Sequence, residues 1–405
     1  MNFTELVTSK GLFCDGDWIE KKDQDPNGTV RLIQLADIGV CEFKDKSERF
    51  ITENKAEELH CTYLQKGDIL VARLPDPLGR ACIFPLDGKY ITAVDVAVVR
   101  IARDDVNSKY VMYMINSPGF RNEIKKYESG TTRKRVSRRN LDKIEFDIPL
   151  LTEQKRIVAR IEELFSELDN GVETLRKIKR QLAVYRQAVL KEAFDKAGQK
   201  QVPLRGIIEK PRYGTSKKCS YDIDEHSLSV YRIPNINYFQ GTISHDDLKY
   251  ASFTEDEFDS LKLRSGDILI IRSNGSVSLV GRSAIVAEED TNGLFAGYLM
   301  RLRIKAKAEI LPKYLNLYLS THYARHQIEK MAKSTSGVNN INSDEICRIC
   351  LPVCDMDLQR EIIREIEARL SVCDSIEKTV DTTLQQAEAM RQSILKQAFD
   401  MGWQN

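Results

Sequence analysis

The chain has almost no net charge: 61 Lys and Arg stand against 60 Asp and Glu, a formal +1. Composition therefore does not announce a nucleic-acid partner. Long apolar runs are missing as well. The longest, Val94 to Ala102, is broken by Asp95 and Arg100, so no membrane span is expected. The amino terminus MNFTELVTSKGLF has no basic-then-apolar signal pattern, and a cytoplasmic location is expected. Nine scattered cysteines, an odd number, argue for free thiols over a disulfide framework.

Catalytic motifs are lacking in the same way. There is no G-x-x-x-x-G-K-[ST] loop, no strand-linked G-x-G-x-x-G, and no N-P-P-Y of a methyltransferase. Cys347, Cys350 and Cys354 have near-zinc spacing but no further pair or histidine to complete four ligands. His322 and His326 share a helix face without the intervening Glu of a zinc peptidase. Pro75-Asp76 with the distant Glu123-Ile124-Lys125 is too little for a nuclease metal site. The expectation is a non-enzyme with no metal and no cofactor.

What is there is a repeat. QAVLKEAFD, Gln187 to Asp195, returns 205 positions later as QSILKQAFD, Gln392 to Asp400. The same offset carries Gln154 onto Gln359, Ile157 onto Ile362, Asp169 onto Asp374 and Arg186 onto Arg391. Apolar residues recur at three- and four-residue steps, which calls for a helix with a partner helix. The expected seam holds Ile157, Ile161, Leu164, Leu168, Leu175, Leu182 and Val189 in one copy, and Ile362, Ile366, Leu370, Ile376, Val380 and Ile394 in the other. Thr152 and Asp355 are candidate caps, and Gly198 and Gly402 candidate stops. Some forty residues give a rod of roughly 60 Å. The second seam is weaker, with Thr383 and small Ala387, so each helix is expected to pack on the other.

The segments before the helices repeat too. Lys66-Gly67-Asp68-Ile69-Leu70 matches Ser265-Gly266-Asp267-Ile268-Leu269, and Gly79-Arg80 matches Gly281-Arg282. Gly16 to Lys22 lines up loosely with Arg212 to Lys218, and Ser129-Gly130 answers Ser336-Gly337 before each rod. Gly-Asp turns before Ile/Leu/Val runs predict short buried strands, and YVMYMINSPGFRNEIKKY and YLNLYLSTHYARHQIEKM predict a helical stretch in each head. The architecture is thus globular, rod, globular, rod. The expected class is α+β: two mixed α/β domains separated by two long helices packed as an antiparallel coiled coil, with an internal pseudo-twofold repeat. QAVLKEAFD is expected to close the rod under the first head and QSILKQAFD the rod under the second.

Charge is local. Arg121 to Lys143 holds nine Lys/Arg against Glu123, Glu128 and Asp142. Lys and Arg neutralise phosphates, while Arg, Asn, Gln and Ser can pair with base edges. The candidate binding residues are Lys21, Lys22, Arg73, Arg80, Arg133, Lys134, Arg135, Arg138 and Arg139 in the first head. In the second they are Tyr213, Lys217, Lys218, Arg272, Asn274, Ser276 and Arg282.

The duplicated P-L-L-T-E-Q-K-R-I-V-x-x-I-E-x-L-F region (Pro149 to Phe165), its second copy ending in Ser393 to Phe399, and the paired G-D-I-L cores resemble the DNA specificity subunit of type I restriction-modification enzymes. The resemblance implies target recognition domains over 1–148 and 198–350, with spacer helices over 149–197 and 351–405 acting as a ruler of at most about 18 base pairs. It implies a bipartite double-stranded DNA target, two methyltransferase subunits docked on the chain, and restriction subunits joined through them. The first head departs from the second at one loop, where Arg73-Leu74-Pro75-Asp76-Pro77 replaces the Ser-Asn-Gly-Ser of Ser273 to Ser276. The rival readings are a two-headed adaptor that binds proteins only and a nuclease acting alone.

Overall fold

A computed structural model describes residues 1–8, 10–130, 133–335 and 337–399. Ser336, Asp400 and Gly402 of the sequence reading lie outside the described residues. The chain is α+β. It divides into two compact units, one formed by Met1–Leu175 with Asp381–Asn405, the other by Arg176–Val380. Each unit is therefore a head plus half of each long helix.

In the first unit, four antiparallel strands lie in the order Leu12–Asp15, Val96–Arg100, Ile69–Ala72, Ala81–Ile83. A second sheet sets Val30–Ile33 between Phe50–Ile51, antiparallel, and Tyr90–Thr92, parallel. The second unit repeats this order with Arg212–Tyr213, Leu299–Leu302, Ile268–Ile271 and Ser283–Ile285. Its second sheet sets Ser227–Tyr231 between Lys249–Ser252 and Leu294–Phe295, with the same pairing senses. Ile69–Ala72 and Ile268–Ile271 are buried at every position, as central strands with two covered faces must be.

The repeated Gly-Asp pairs are structural. The buried Asp68 carboxylate accepts from the Gln65 amide (2.8 Å) and takes both arms of Arg100 at 2.8 and 2.7 Å. Asp267 does the same with the Arg264 amide and Arg303, at 2.7 and 2.6 Å. One register shifts from expectation. Gly16 corresponds to Gly214 and not to Arg212, because a Cβ on either glycine would collide with a main-chain carbonyl, that of Ala93 in one head and of Phe295 in the other. The predicted helical stretch of each head is two short helices, Ser108–Asn116 with Pro118–Lys126, and Pro312–Leu319 with His322–Met331. Pro118 cannot continue the preceding helix, and Ser117 before it is extended and caps the next one.

The long helices span Leu151–Asp195, 45 residues, and Met356–Phe399, 44 residues. Asp355 accepts from the Leu358 amide (2.8 Å) and so caps the second helix. Thr152 lies inside the first helix and caps nothing, since the helix already begins at Leu151. In the second unit the helices run antiparallel: Arg186 meets Asp374 (2.6 Å), Glu192 meets Arg369 (2.8 Å), and Lys196 meets Glu365 (2.5 Å). In the first unit Arg391 pairs with Asp169, the same contact carried across by the repeat, and its guanidinium lies 4.9 Å from the centre of the Phe165 ring. Exposed pairs of this kind contribute little stability but fix register.

Ile157, Ile161, Leu182, Val189, Ile362, Ile366, Val380 and Ile394 are buried, while Leu164, Leu168, Leu175 and Leu370 are half-buried. Ile376 is not in the seam and is 41% exposed. Between Cys373 and Val380 the helix steps four then three, which turns Glu377 inward to accept from Arg186 at 2.9 Å.

Antiparallel packing also corrects the placing of the repeated helix ends. Val189, Leu190, Ala193 and Phe194 join the core of the second head, against Tyr314 and Tyr318. Ile394, Leu395 and Ala398 join the core of the first head, and Phe399 packs edge-on to Tyr110. Each helix end is thus seated under the other copy's head, because an antiparallel partner ends where its neighbour begins.

Each head is latched to the start of its helix by one buried glutamine. Gln154 Nε2 donates to the carbonyls of Asp105 (2.9 Å) and Pro149 (2.8 Å), and its Oε1 accepts from the Asn107 amide (2.8 Å). Gln359 repeats this with Glu309 (2.8 Å), Cys354 (2.9 Å) and the Leu311 amide (2.9 Å). Gln154→Leu or Gln359→Leu keeps the volume but strands three buried main-chain groups. The expected loss is on the order of 3 kcal/mol, read as a lower thermal midpoint of the full chain; an unchanged midpoint would remove the latch role.

Candidate nucleic-acid interface

In the first head, Asp15 ends the outer strand, forms an ion pair with Arg73 Nη1 (2.9 Å) and accepts from Arg138 Nε (3.3 Å), both candidate residues. Arg73 also bonds the Val94 carbonyl, and Arg138 lies 5.5 Å over the Phe13 ring. The basic segment is stitched to this point. The Val136 amide donates to the Arg73 carbonyl (3.1 Å), and Ser129 and Arg135 exchange main-chain bonds at 2.9 and 2.8 Å. Arg133, Lys134, Arg135 and Arg139 are exposed along it, and Lys134 is paired with Glu128 (3.2 Å). Arg133, Arg135 and Arg139 carry no ion pair among the described residues.

In the second head the strand register puts Tyr213 where the first has Asp15. Arg272, the counterpart of Arg73, accordingly stacks 4.8 Å over the Tyr213 ring, where the first head has an ion pair. Its Nη1 donates to the Gly297 carbonyl (3.2 Å), and its own carbonyl accepts from the Ile341 amide (2.9 Å). The adjoining strand Ser273–Asn274 pairs with Val338–Asn340. Asn274 Oδ1 accepts from the Ser276 amide (2.8 Å), the Ser276 and Ser278 hydroxyls lie 2.8 Å apart, and Arg282 Nε donates to the Ser278 carbonyl (3.2 Å). Tyr213, Arg272, Asn274, Ser276 and Arg282 are therefore joined in one continuous loop surface.

Other candidates are elsewhere. Arg80 is buried, and its guanidinium donates to the carbonyls of Ile38 (2.7 Å), Leu35 (2.9 Å), Leu74 (3.1 Å) and Pro77 (3.1 Å). It ties two loops together with four of its five N–H donors and is buried, which argues against a DNA contact. Its counterpart Arg282 is half-buried over the Tyr238 ring at 5.0 Å, and burial pushes its pKa below the usual arginine value. Lys217 is committed to Glu257 (2.6 Å) and the Phe253 ring (4.8 Å), and Lys218 shares a shallow cleft with Asp222 and Asp224. Lys21 and Lys22 sit on an exposed single turn, Lys22 paired with Glu20 (2.8 Å). Among the described residues, no side-chain hydrogen bond or ion pair joins these four lysines to the loop surfaces.

Residues that the sequence reading passed over are the exposed aromatics: Trp18 at 70%, Phe239 at 71% and Tyr298 at 63%. The signal was present in Asn237-Tyr238-Phe239-Gln240, two adjacent aromatics inside a polar turn. No group of three or more His, Cys, Asp or Glu among the described residues is placed to hold a metal ion. No described helix is long and apolar enough to cross a membrane.

Residues 5–180 match the family model described as the type I restriction modification DNA specificity domain. Over that stretch, less than half of its length, the chain is similar to the type I restriction-modification DNA specificity family. It is 28% identical over 306 residues to the EcoKI specificity subunit of Escherichia coli K12, an alignment covering 72% of this chain and 65% of that one. It is 26% identical over 310 residues to the StySPI specificity subunit of Salmonella potsdam, covering 73% and 65%. The chain thus spans about 65% of the length of these curated relatives. Among solved structures, a chain from work on complex assembly and conformational transition of the type I R-M system matches with TM-score 0.70 at 17% identity, covering 97% of this chain and 98% of that one. The HsdS subunit from Thermoanaerobacter tengcongensis matches with TM-score 0.51 at 17% identity, covering 98% of each. At this identity the structural likeness speaks for the shared specificity-subunit fold.

Proposed function

We propose that this chain is the DNA-recognition subunit of a type I restriction-modification complex and is not itself catalytic. Its heads, 1–148 and 198–350, each read one half of a bipartite duplex site. The helical segments 149–197 and 351–405 set the spacing between the halves and dock two methyltransferase subunits, which in turn bring the restriction subunits. The complex works in the cytoplasm on chromosomal or invading DNA.

One observation carries this reading. Both heads build the same strands and bring the same loops together, yet put different chemistry on them. Asp15 with Arg73 answers Tyr213 with Arg272, and a Leu-Pro-Asp-Pro loop at 74–77 answers the Ser-Asn-Gly-Ser turn at 273–276. A scaffold duplicated for one protein partner has no need of unlike loops, whereas two halves of an asymmetric DNA site do.

Binding to duplex DNA as a function of salt is the test, because neutralised phosphates give a linear fall of log affinity with log salt. Replacing Arg133, Arg135 and Arg139 by Gln is expected to flatten that slope by up to about 0.9 for each phosphate no longer neutralised. Lys134 and Arg138 are better spared, since Glu128 and Asp15 already hold them. A parent complex whose affinity ignores salt would favour a protein-only adaptor.

A further inference from the structure

The hairpin of Ile236–Asn237 and Thr242–Ile243 in the second head carries an aromatic prong. Phe239 at its tip is 71% exposed, and its one ring neighbour among the described residues is Tyr238, 4.4 Å away. Arg282 stacks 5.0 Å over Tyr238 and reaches the Ser278 carbonyl, so the prong is continuous with the Asn274–Ser276 loop. The tip is rigidly held. The Gly241 amide donates to the Asn237 carbonyl (2.8 Å), the Gly241 carbonyl accepts from the Ile285 amide (2.9 Å), and the Asn237 and Gln240 side chains bond each other (3.0 Å). Gly241 has φ +72, and a Cβ there would lie 2.6 Å from Asn316 Nδ2.

The first head has no such feature. Val40-Cys41 occupy the corresponding turn, Cys41 is half-buried, and Arg80 faces inward to the Ile38 carbonyl. The surroundings of Phe239 also decide its partner. Asn237 and Gln240 flank it in the hairpin, and Arg282 links Tyr238 to the Ser276–Ser278 turn, so the same surface carries amides and hydroxyls suited to base edges. A protein-docking patch would instead present an apolar centre of several side chains.

We propose that Phe239 is a wedge that the second head presses into a base step of its half-site, with Tyr238 and Arg282 as its platform. The inference rests on the DNA-recognition reading above. Apolar wedges unstack a step and kink the duplex. Stacking itself tolerates any base, so the wedge selects through deformability and favours a flexible pyrimidine–purine step. Phe239 would then be a specificity determinant that never hydrogen-bonds a base.

The test uses the full chain assembled with its methyltransferase subunit. The parent, Phe239→Ala and Phe239→Trp are each expressed in a methylation-free host and their methylated motifs are mapped. Duplexes of the parent's motif, with 2-aminopurine moved along the second half-site, then report unstacking. The parent should brighten the probe at one step. Phe239→Ala should abolish that signal, weaken binding roughly ten- to hundredfold, and relax the motif at that step only, while Phe239→Trp restores all three. Parent-like signal, affinity and motif in Phe239→Ala would overturn the wedge. So would loss of methyltransferase binding by Phe239→Ala without DNA, which would make the ring a protein contact. Failure of the parent to methylate any motif would instead defeat the DNA reading, before a variant is made.

Discussion

Exchanging residues 2–148 for the first head of another specificity subunit is expected to rewrite one half of the recognised site and leave the other half as it was. The reason is that the loop surfaces are built within each unit: Asp15, Arg73, Val136 and Arg138 support one another in the first, and Tyr213, Arg272, Ile341 and Arg282 belong wholly to the second. Among the described residues, the hydrogen bonds and ion pairs named for each surface lie within its own unit. The old site should lose specific binding by at least three orders of magnitude, the usual gap between specific and non-specific affinity. The structure adds a design condition. The first head's core includes Ile394, Leu395 and Ala398 from the far end of the chain, so a transplanted head must accept those side chains. Methylation mapping checks the result, and a change in both halves would contradict two independent readers.

A heptad inserted after Gly171 alone is expected to abolish specific DNA binding, whereas heptads inserted in both helices should lengthen the unread spacer. Leu168, Val172 and Leu175 face Thr383, Ala387 and Met390 across the seam, so a one-sided insertion slides the first helix past its partner. It then cannot keep both Arg391 with Asp169 and Arg186 with Asp374. Matched insertions after Gly171 and after Leu384 preserve both pairs. Seven residues add about 10 Å of helix, or about three base pairs of spacer. Competition binding with sites whose spacers differ by one base pair checks this; a preference unmoved by the matched insertion would remove the ruler role.

The rods and the strand cores were legible because a fixed offset and strict periodicity leave few choices. Ile376 was misplaced because a seam of threes and fours can be phased two ways, and only the position of Glu377 against Arg186 decides between them. Arg80 reads like Arg282 in sequence, but its fate depends on two loops, 35–38 and 74–77, that fold around it. Gln154 and Gln359 were visible as matched letters; their role needs the turns at Asn107 and Leu311 to arrive above them. The helix ends were assigned to the wrong heads since periodicity gives a partner but not its neighbours in three dimensions. Phe239 has a sequence signal, two adjacent aromatics in a polar turn, but its exposure is a tertiary property that the letters alone do not give.

The most direct test expresses the chain with its cognate methyltransferase subunit in a methylation-free host and maps every modified base. A two-part motif, with specified bases on both sides of an unspecified gap of fixed length, is the expected result. A single unbroken motif, or methylation without sequence preference, would contradict the account of two unlike heads that each read half of a site.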